Sequence, residues 1–81
     1  MKKTPKNLEK NEILKSFGVA LRSLRYEKGL SQEALSHLTG IDRSYLGAIE
    51  RGEHNLALIN IYKLAMELDC SVAKLMLVAG L

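Results

Sequence analysis

Eighty-one residues, 47% of them hydrophobic, make one small domain, and one Phe, three Tyr and no Trp point to an aliphatic helical core. The net charge of +3 lies in residues 1–10, where four lysines face one glutamate; residues 11–81 carry eight basic and eight acidic residues and sum to zero. Bulk charge therefore gives little support for a nucleic-acid partner, and any such argument rests on where individual charges sit.

Residues 1–10 (MKKTPKNLEK) form a polar, lysine-rich arm. Two readings stay open for it, a frayed tail and a basic arm lying along phosphate, with Thr4-Pro5 also able to cap an early helix start. Residues 12–28 are predicted as the first long helix. Ile13, Phe17, Ala20, Leu21 and Leu24 recur at helical spacing as one apolar stripe, and Lys15, Arg22, Arg25 and Lys28 fall on other faces.

Residues 29–52 (GLSQEALSHLTGIDRSYLGAIERG) read as two short capped helices joined by a tight turn. Gly29 ends the preceding helix, Ser31 takes the N-cap position, and Leu30 and Leu35 are spaced as a hydrophobic staple. The grammar repeats eleven residues later. Gly40 ends the first short helix, Asp42 caps the second, Ile41 and Leu46 form the matching staple, and Gly52 closes the unit. Such a pair of helices is the signature of helix-turn-helix. The first, residues 32–38, buries Ala34 and Leu35 and opens on Gln32, whose amide beside outward-aimed N–H groups suits a phosphate. The second, residues 43–51, turns Leu46 and Ile49 inward and leaves Arg43, Ser44, Gly47 and Ala48 on an outer face, with Tyr45 beside it. An α-helix enters the major groove of B-DNA with its N-terminal residues at base edges, and an arginine there bridges O6 and N7 of guanine. Arg43 is the foremost candidate reader, with Ser44 donating to a base or phosphate. Gly47 and Ala48 permit close approach, and Tyr45 offers its hydroxyl to a phosphate or its ring to a thymine methyl.

A fourth helix is predicted over residues 57–68, with Leu58, Ile61, Ala65 and Leu68 as its core stripe and Leu64 and Tyr62 adding to it. A fifth, capped by Ser71, runs to the terminus with one charge in VAKLMLVAGL. Val72, Leu75 and Met76 are enough to pack it. Leu77, Val78 and Leu81 are then left over, which predicts either a terminus that folds back or, favoured here, a two-fold interface of a homodimer.

The stretch SQEALSHLTGIDRSYLGAIERGEHNL resembles the Cro/C1-type (XRE-like) helix-turn-helix DNA-binding proteins, and within them DRSYLGAIERGEHNL is most similar to the controller proteins of restriction–modification systems. The resemblance covers about residues 13–76. It implies an all-α, compact five-helix, lambda-repressor-like fold and an ion pair between Arg25 and Glu50 that ties the first helix to the recognition helix, with Arg25 also within reach of a phosphate. It supports Gln32 and Ser31 as phosphate contacts and places the connection after the third helix on the sugar-phosphate backbone, where Arg51 and Asn55 fit that role, His54 is open between contact and solvent, and Glu53 runs against it. Ser36 and Thr39 depart from the family, which usually carries alanine and an aliphatic residue at these positions.

The resulting expectation is a sequence-specific transcriptional regulator that binds a palindromic operator in double-stranded DNA as a homodimer. A restriction–modification controller is the first choice, and a phage-type repressor or an antitoxin of the same fold are alternatives. A helical protein-interaction module is the rival from another class, supported by the neutral charge of residues 11–81. No catalytic set, metal-ligand cluster or phosphate-binding glycine loop is present, so no enzyme, cofactor, metal or small-molecule ligand is expected; His37 reads as a plain exposed residue. The lone Cys70 rules out a disulfide framework and suits a reducing cytoplasm. With no run of ~20 apolar residues for a membrane span, a soluble cytoplasmic protein is expected.

Overall fold

The computed structural model describes residues 9–81, and within them the chain is entirely helical: α1 (Lys10–Glu27), α2 (Gln32–Thr39), α3 (Arg43–Glu50), α4 (Leu58–Glu67) and α5 (Val72–Ala79). The readings for the arm and the Thr4-Pro5 cap fall on residues 1–8 and lie outside the described residues. α1 begins at Lys10, two residues before the predicted start, because Glu9 opens it in an extended conformation with its N–H donating to Glu12 Oε1 at 3.4 Å.

The shorter helices start where side-chain oxygens replace missing backbone partners. Ser31 accepts from the Ala34 N–H, Asp42 from that of Tyr45 and Ser71 from that of Lys74. α2 stops at Gly40, whose φ of 74° only a glycine adopts cheaply, and the chain swings directly into α3.

The core draws at least one fully buried residue from every helix: Leu21 from α1, Leu35 from α2, Leu46 and Ile49 from α3, Leu64 from α4 and Leu75 from α5. At about 1.5–3 kcal/mol for each such side chain, this shared core holds the set together, since helices of eight residues have little stability of their own. α1 packs on α3 and α5, α2 on α3 and α4, and α4 on α5. The helix-turn-helix is thus braced from behind while the N-termini of α2 and α3 stay open.

Three details correct the expectations from sequence. Leu58 is 71% exposed and Tyr62 57%, and neither takes part in the α4 core stripe. Leu58 is the first residue of α4, and Leu56 in the preceding extended segment packs on the core in its stead. α5 ends at Ala79, not at the terminus: Gly80 turns with φ 76° and the Leu81 N–H donates back to the Met76 carbonyl at 2.9 Å. Leu81 thereby joins Ile13, Leu14, Phe17 and Leu56 around one apolar hollow, so only Leu77 and Val78 of the proposed dimer residues remain outward. Ala34 is half-buried, as its place one turn into the short α2 allows.

Candidate nucleic-acid interface

α3 presents its first turn and hides its second. Arg43 and Ser44 are exposed and Tyr45 is half-buried, whereas every residue from Leu46 through Glu50 is buried. Arg43, the first residue of α3, has no hydrogen-bond or ion-pair partner among the described residues. The predicted outer face is therefore shorter than expected. Ala48 retains 6% exposure and offers no surface for a base, because an eight-residue helix wedged against both α1 and α2 is enclosed all round at its C-terminal end. Gly47 is covered by side chains: a methyl group there would come within 3.3 Å of both Gln32 Oε1 and Arg51 Nη1. Both side chains are hydrogen-bonded, Gln32 to Glu50 and Arg51 to Glu53, so they cover Gly47 in this structure.

Behind this turn lies a buried polar array. Arg25 Nε donates to Glu50 Oε2 at 2.7 Å and Nη2 to Oε1 at 2.9 Å, while Nη1 donates to the Leu30 carbonyl at 2.8 Å. Gln32 Nε2 adds a bond to Glu50 Oε1 at 3.1 Å. One carboxylate thus ties α1, α2 and α3 together, in the bidentate geometry to which a guanidinium is suited. The hydrogen bonds to Glu50 raise the Arg25 pKa, against the opposing effect of burial. Arg25 is buried and its donors point inward, which removes it as a phosphate contact. Its guanidinium is capped by the Tyr26 ring at 4.7 Å, and Tyr26 is in turn held by Arg22, whose Nε and Nη2 donate to the phenol oxygen at 3.1 and 2.9 Å. Those two bonds lower the Tyr26 pKa.

The array fixes Gln32 at the start of α2, over Gly47 of α3. Its NH2 group gives one N–H to Glu50 and keeps the second N–H beyond that bond. Ser31 Oγ accepts from the Ala34 N–H at 3.0 Å, which uses a lone pair and leaves the hydroxyl proton free to donate outward.

The segment after α3 folds back on it. Tyr45 Oη donates to the Asn55 carbonyl at 3.4 Å, and the Tyr45 and His54 rings meet at 5.1 Å, tilted by 48°. The Tyr45 hydroxyl proton is thereby turned to backbone rather than outward. Arg51 is paired with Glu53, Nε to Oε2 at 2.9 Å. Asn55 is exposed.

Two features of the turn escaped sequence reasoning. Ser36 Oγ donates to the Ile41 carbonyl, and Thr39 Oγ1 donates to the Leu35 carbonyl at 2.8 Å while accepting from the Ile41 N–H at 3.2 Å. The two departures from the family pattern thus satisfy the backbone of the turn. The signal was two hydroxyl residues flanking Gly40. Among the described residues no group of three or more His, Cys, Asp or Glu is placed to hold a metal ion, and no helix is long and apolar enough to cross a membrane.

Comparison with known proteins agrees with this geometry. A helix-turn-helix family model (HTH_3) matches residues 21–75. The chain is 43% identical over 61 residues to the control protein C.SmaI of Serratia marcescens, covering 75% of this chain and 73% of that one. Its fold matches the crystal structure of the restriction–modification controller protein C.AhdI from Aeromonas hydrophila with a TM-score of 0.75 and 55% identity, over 76% of this chain and 94% of that one. It also matches the controller protein C.Esp1396I, solved as a tetramer with its natural 35 base-pair operator, with a TM-score of 0.75 and 27% identity over 83% of this chain and 88% of that one. The chain belongs to the helix-turn-helix family of the Cro/C1 (XRE-like) type.

Proposed function

We propose that this chain is a sequence-specific transcriptional regulator that binds a palindromic operator as a homodimer and serves as a restriction–modification controller. The observation that carries the reading is the free Arg43-Ser44 turn at the start of α3, set on a second helix whose Gln32 is locked to the same Glu50 that anchors α3. A rigid pair of helix N-termini, one bearing an unpaired guanidinium and the other an oriented amide and hydroxyl, fits a base edge and the flanking phosphates. The names of the similar proteins, control and controller proteins, point to the same role.

Dimerisation is part of the proposal. Leu77 is 75% exposed and Val78 42%, and Leu58 and Ile59 of α4 expose comparable apolar surface. The exposed Leu77 and Val78 of α5 serve as the two-fold contact and set the two recognition helices about one DNA turn, ~34 Å, apart. Regulation then follows from concentration, through dimerisation and operator occupancy.

Selection of the purified protein on a random DNA pool, with sequencing of what is retained, tests this. The expected result is an enriched palindrome with half-sites about ten base pairs apart. A folded, dimeric protein that enriches nothing overturns the reading in favour of a protein-interaction module.

A further inference from the structure

The two arginines of the candidate interface are in different states. Arg43 is free among the described residues, whereas Arg51 is gripped by Glu53 through two parallel hydrogen bonds, Nε to Oε2 at 2.9 Å and Nη2 to Oε1 at 3.2 Å. The Arg51 and Glu53 side chains are 60% and 54% exposed, so the pair buries little and does not serve packing. Exposed pairs of this kind contribute little to stability. Arg51 leans over Gly47 beside Gln32, on the face that a duplex would approach. A carboxylate here takes up the fork of donors that a phosphate would use, and it is one of the eight acidic residues that bring residues 11–81 to zero net charge. The mutual hold raises the Arg51 pKa and lowers that of Glu53, through the hydrogen bonds between them above all.

We infer that Glu53 is a built-in competitor for DNA phosphate: it occupies Arg51 in the free protein, yields it to the backbone on binding, and so holds affinity and its salt dependence below what the arginines alone would give. The inference rests on the DNA-binding reading above. A regulator that reports its own concentration needs an operator that is not saturated from the outset, and a competing carboxylate supplies that moderation without touching the base-reading residues.

The test compares the full chain with Glu53→Gln, Arg51→Gln and the double variant. Binding to the selected operator and to a scrambled duplex is followed by fluorescence anisotropy over a series of salt concentrations. Glu53→Gln is expected to bind both duplexes about fivefold more tightly, the upper range for releasing an exposed pair. Its slope of log affinity against log salt should steepen by about one phosphate contact. In the Arg51→Gln background the same substitution should gain less than about twofold, since the arginine it releases is gone. Four outcomes overturn the inference: no tightening, an equal gain in both backgrounds, a changed sequence preference (Glu53 would then read a base), or weaker binding with a lowered melting temperature (the pair would then brace the loop). If the unsubstituted chain binds neither duplex, the DNA reading itself fails. That result is distinct from a chain that binds and is indifferent to Glu53.

Discussion

Gly18 of α1 rests directly on the last turn of α3: a Cβ at this position would meet the Glu50 carbonyl oxygen at 2.5 Å and that of Ile49 at 2.6 Å. Backbone lies on backbone here, with no side chain between. On the same seam a Cβ at Gly52 would come within 2.8 Å of Lys15 Cα. The height of the recognition helix above the scaffold is therefore set by two residues that lack a Cβ.

Gly18→Ala should be destabilising even though alanine favours helix by about 1 kcal/mol. The carbonyls it meets belong to backbone and cannot step aside, so overpacking at the upper end of about 1–3 kcal/mol is expected. A net loss of about 2 kcal/mol corresponds to a melting temperature lower by about 10 °C for a domain of this size. Gly47→Ala is the control. It meets only side-chain ends, Gln32 Oε1 and Arg51 Nη1 at 3.3 Å, which need shift only slightly, and alanine's better helix propensity offsets that, so thermal unfolding should show it close to unchanged.

Glu50→Gln should cost far more than a surface charge. Arg25 would remain charged at 5% exposure without a counter-ion, and Gln32 would lose its anionic acceptor. Breaking a buried pair from one side costs about 3–5 kcal/mol, a large part of the stability of a small domain. Urea denaturation should show the midpoint displaced accordingly. Joint replacement Arg25→Met with Glu50→Leu should recover much of the loss, because no unpaired charge is left inside.

Thr39→Val tests the polar strut of the turn. Valine keeps the shape but leaves the Ile41 N–H, on a residue 6% exposed, without its acceptor. An unsatisfied buried donor costs about 1–3 kcal/mol. A drop within that range in chemical denaturation, with helical circular dichroism retained, is expected. A neutral result would mean that water reaches this turn.

The helix-turn-helix was legible because its signals are local. Ser31, Asp42 and Ser71 cap the helices that they were read to cap, and Gly40 ends α2, since each acts on atoms within one turn of itself. What was illegible depends on distant neighbours. Ala48 looks like an outward residue until α1 and α2 enclose it. Gly18 looks like a weak helix residue until α3 lies against it. Leu58 fits the apolar spacing of α4, but whether the first residue of a helix reaches the core depends on where the previous segment lies, and Leu56 arrives first. Leu81 follows the other of the two readings open for the apolar terminus, folding back because Gly80 turns the chain and returns its N–H to Met76.

The two terminal leucines should now behave oppositely. Leu77, 75% exposed, contributes little within one subunit, so Leu77→Glu should leave helical content intact while shifting sedimentation equilibrium from dimer to monomer. Leu81 packs on the core, and Leu81→Ala should lower thermal stability with dimerisation affected less. A Leu77→Glu variant that stays dimeric would move the interface off α5.

Arg43→Ala bears on the reading of the groove itself. Arg43 is exposed, stands in the first turn of α3 and makes no bond among the described residues, so its loss leaves the core, the Asp42 cap and the Arg25–Glu50 pair intact. Folding and melting temperature should stay near the original. A bidentate arginine–guanine contact discriminates by about 1–3 kcal/mol, so operator affinity should fall by one to two orders of magnitude, and repeated selection should show one guanine per half-site losing its preference while the others persist. A uniform loss at every position, without relaxed preference at any one, would instead make Arg43 a phosphate contact and assign base reading to Ser44 and the Tyr45 ring.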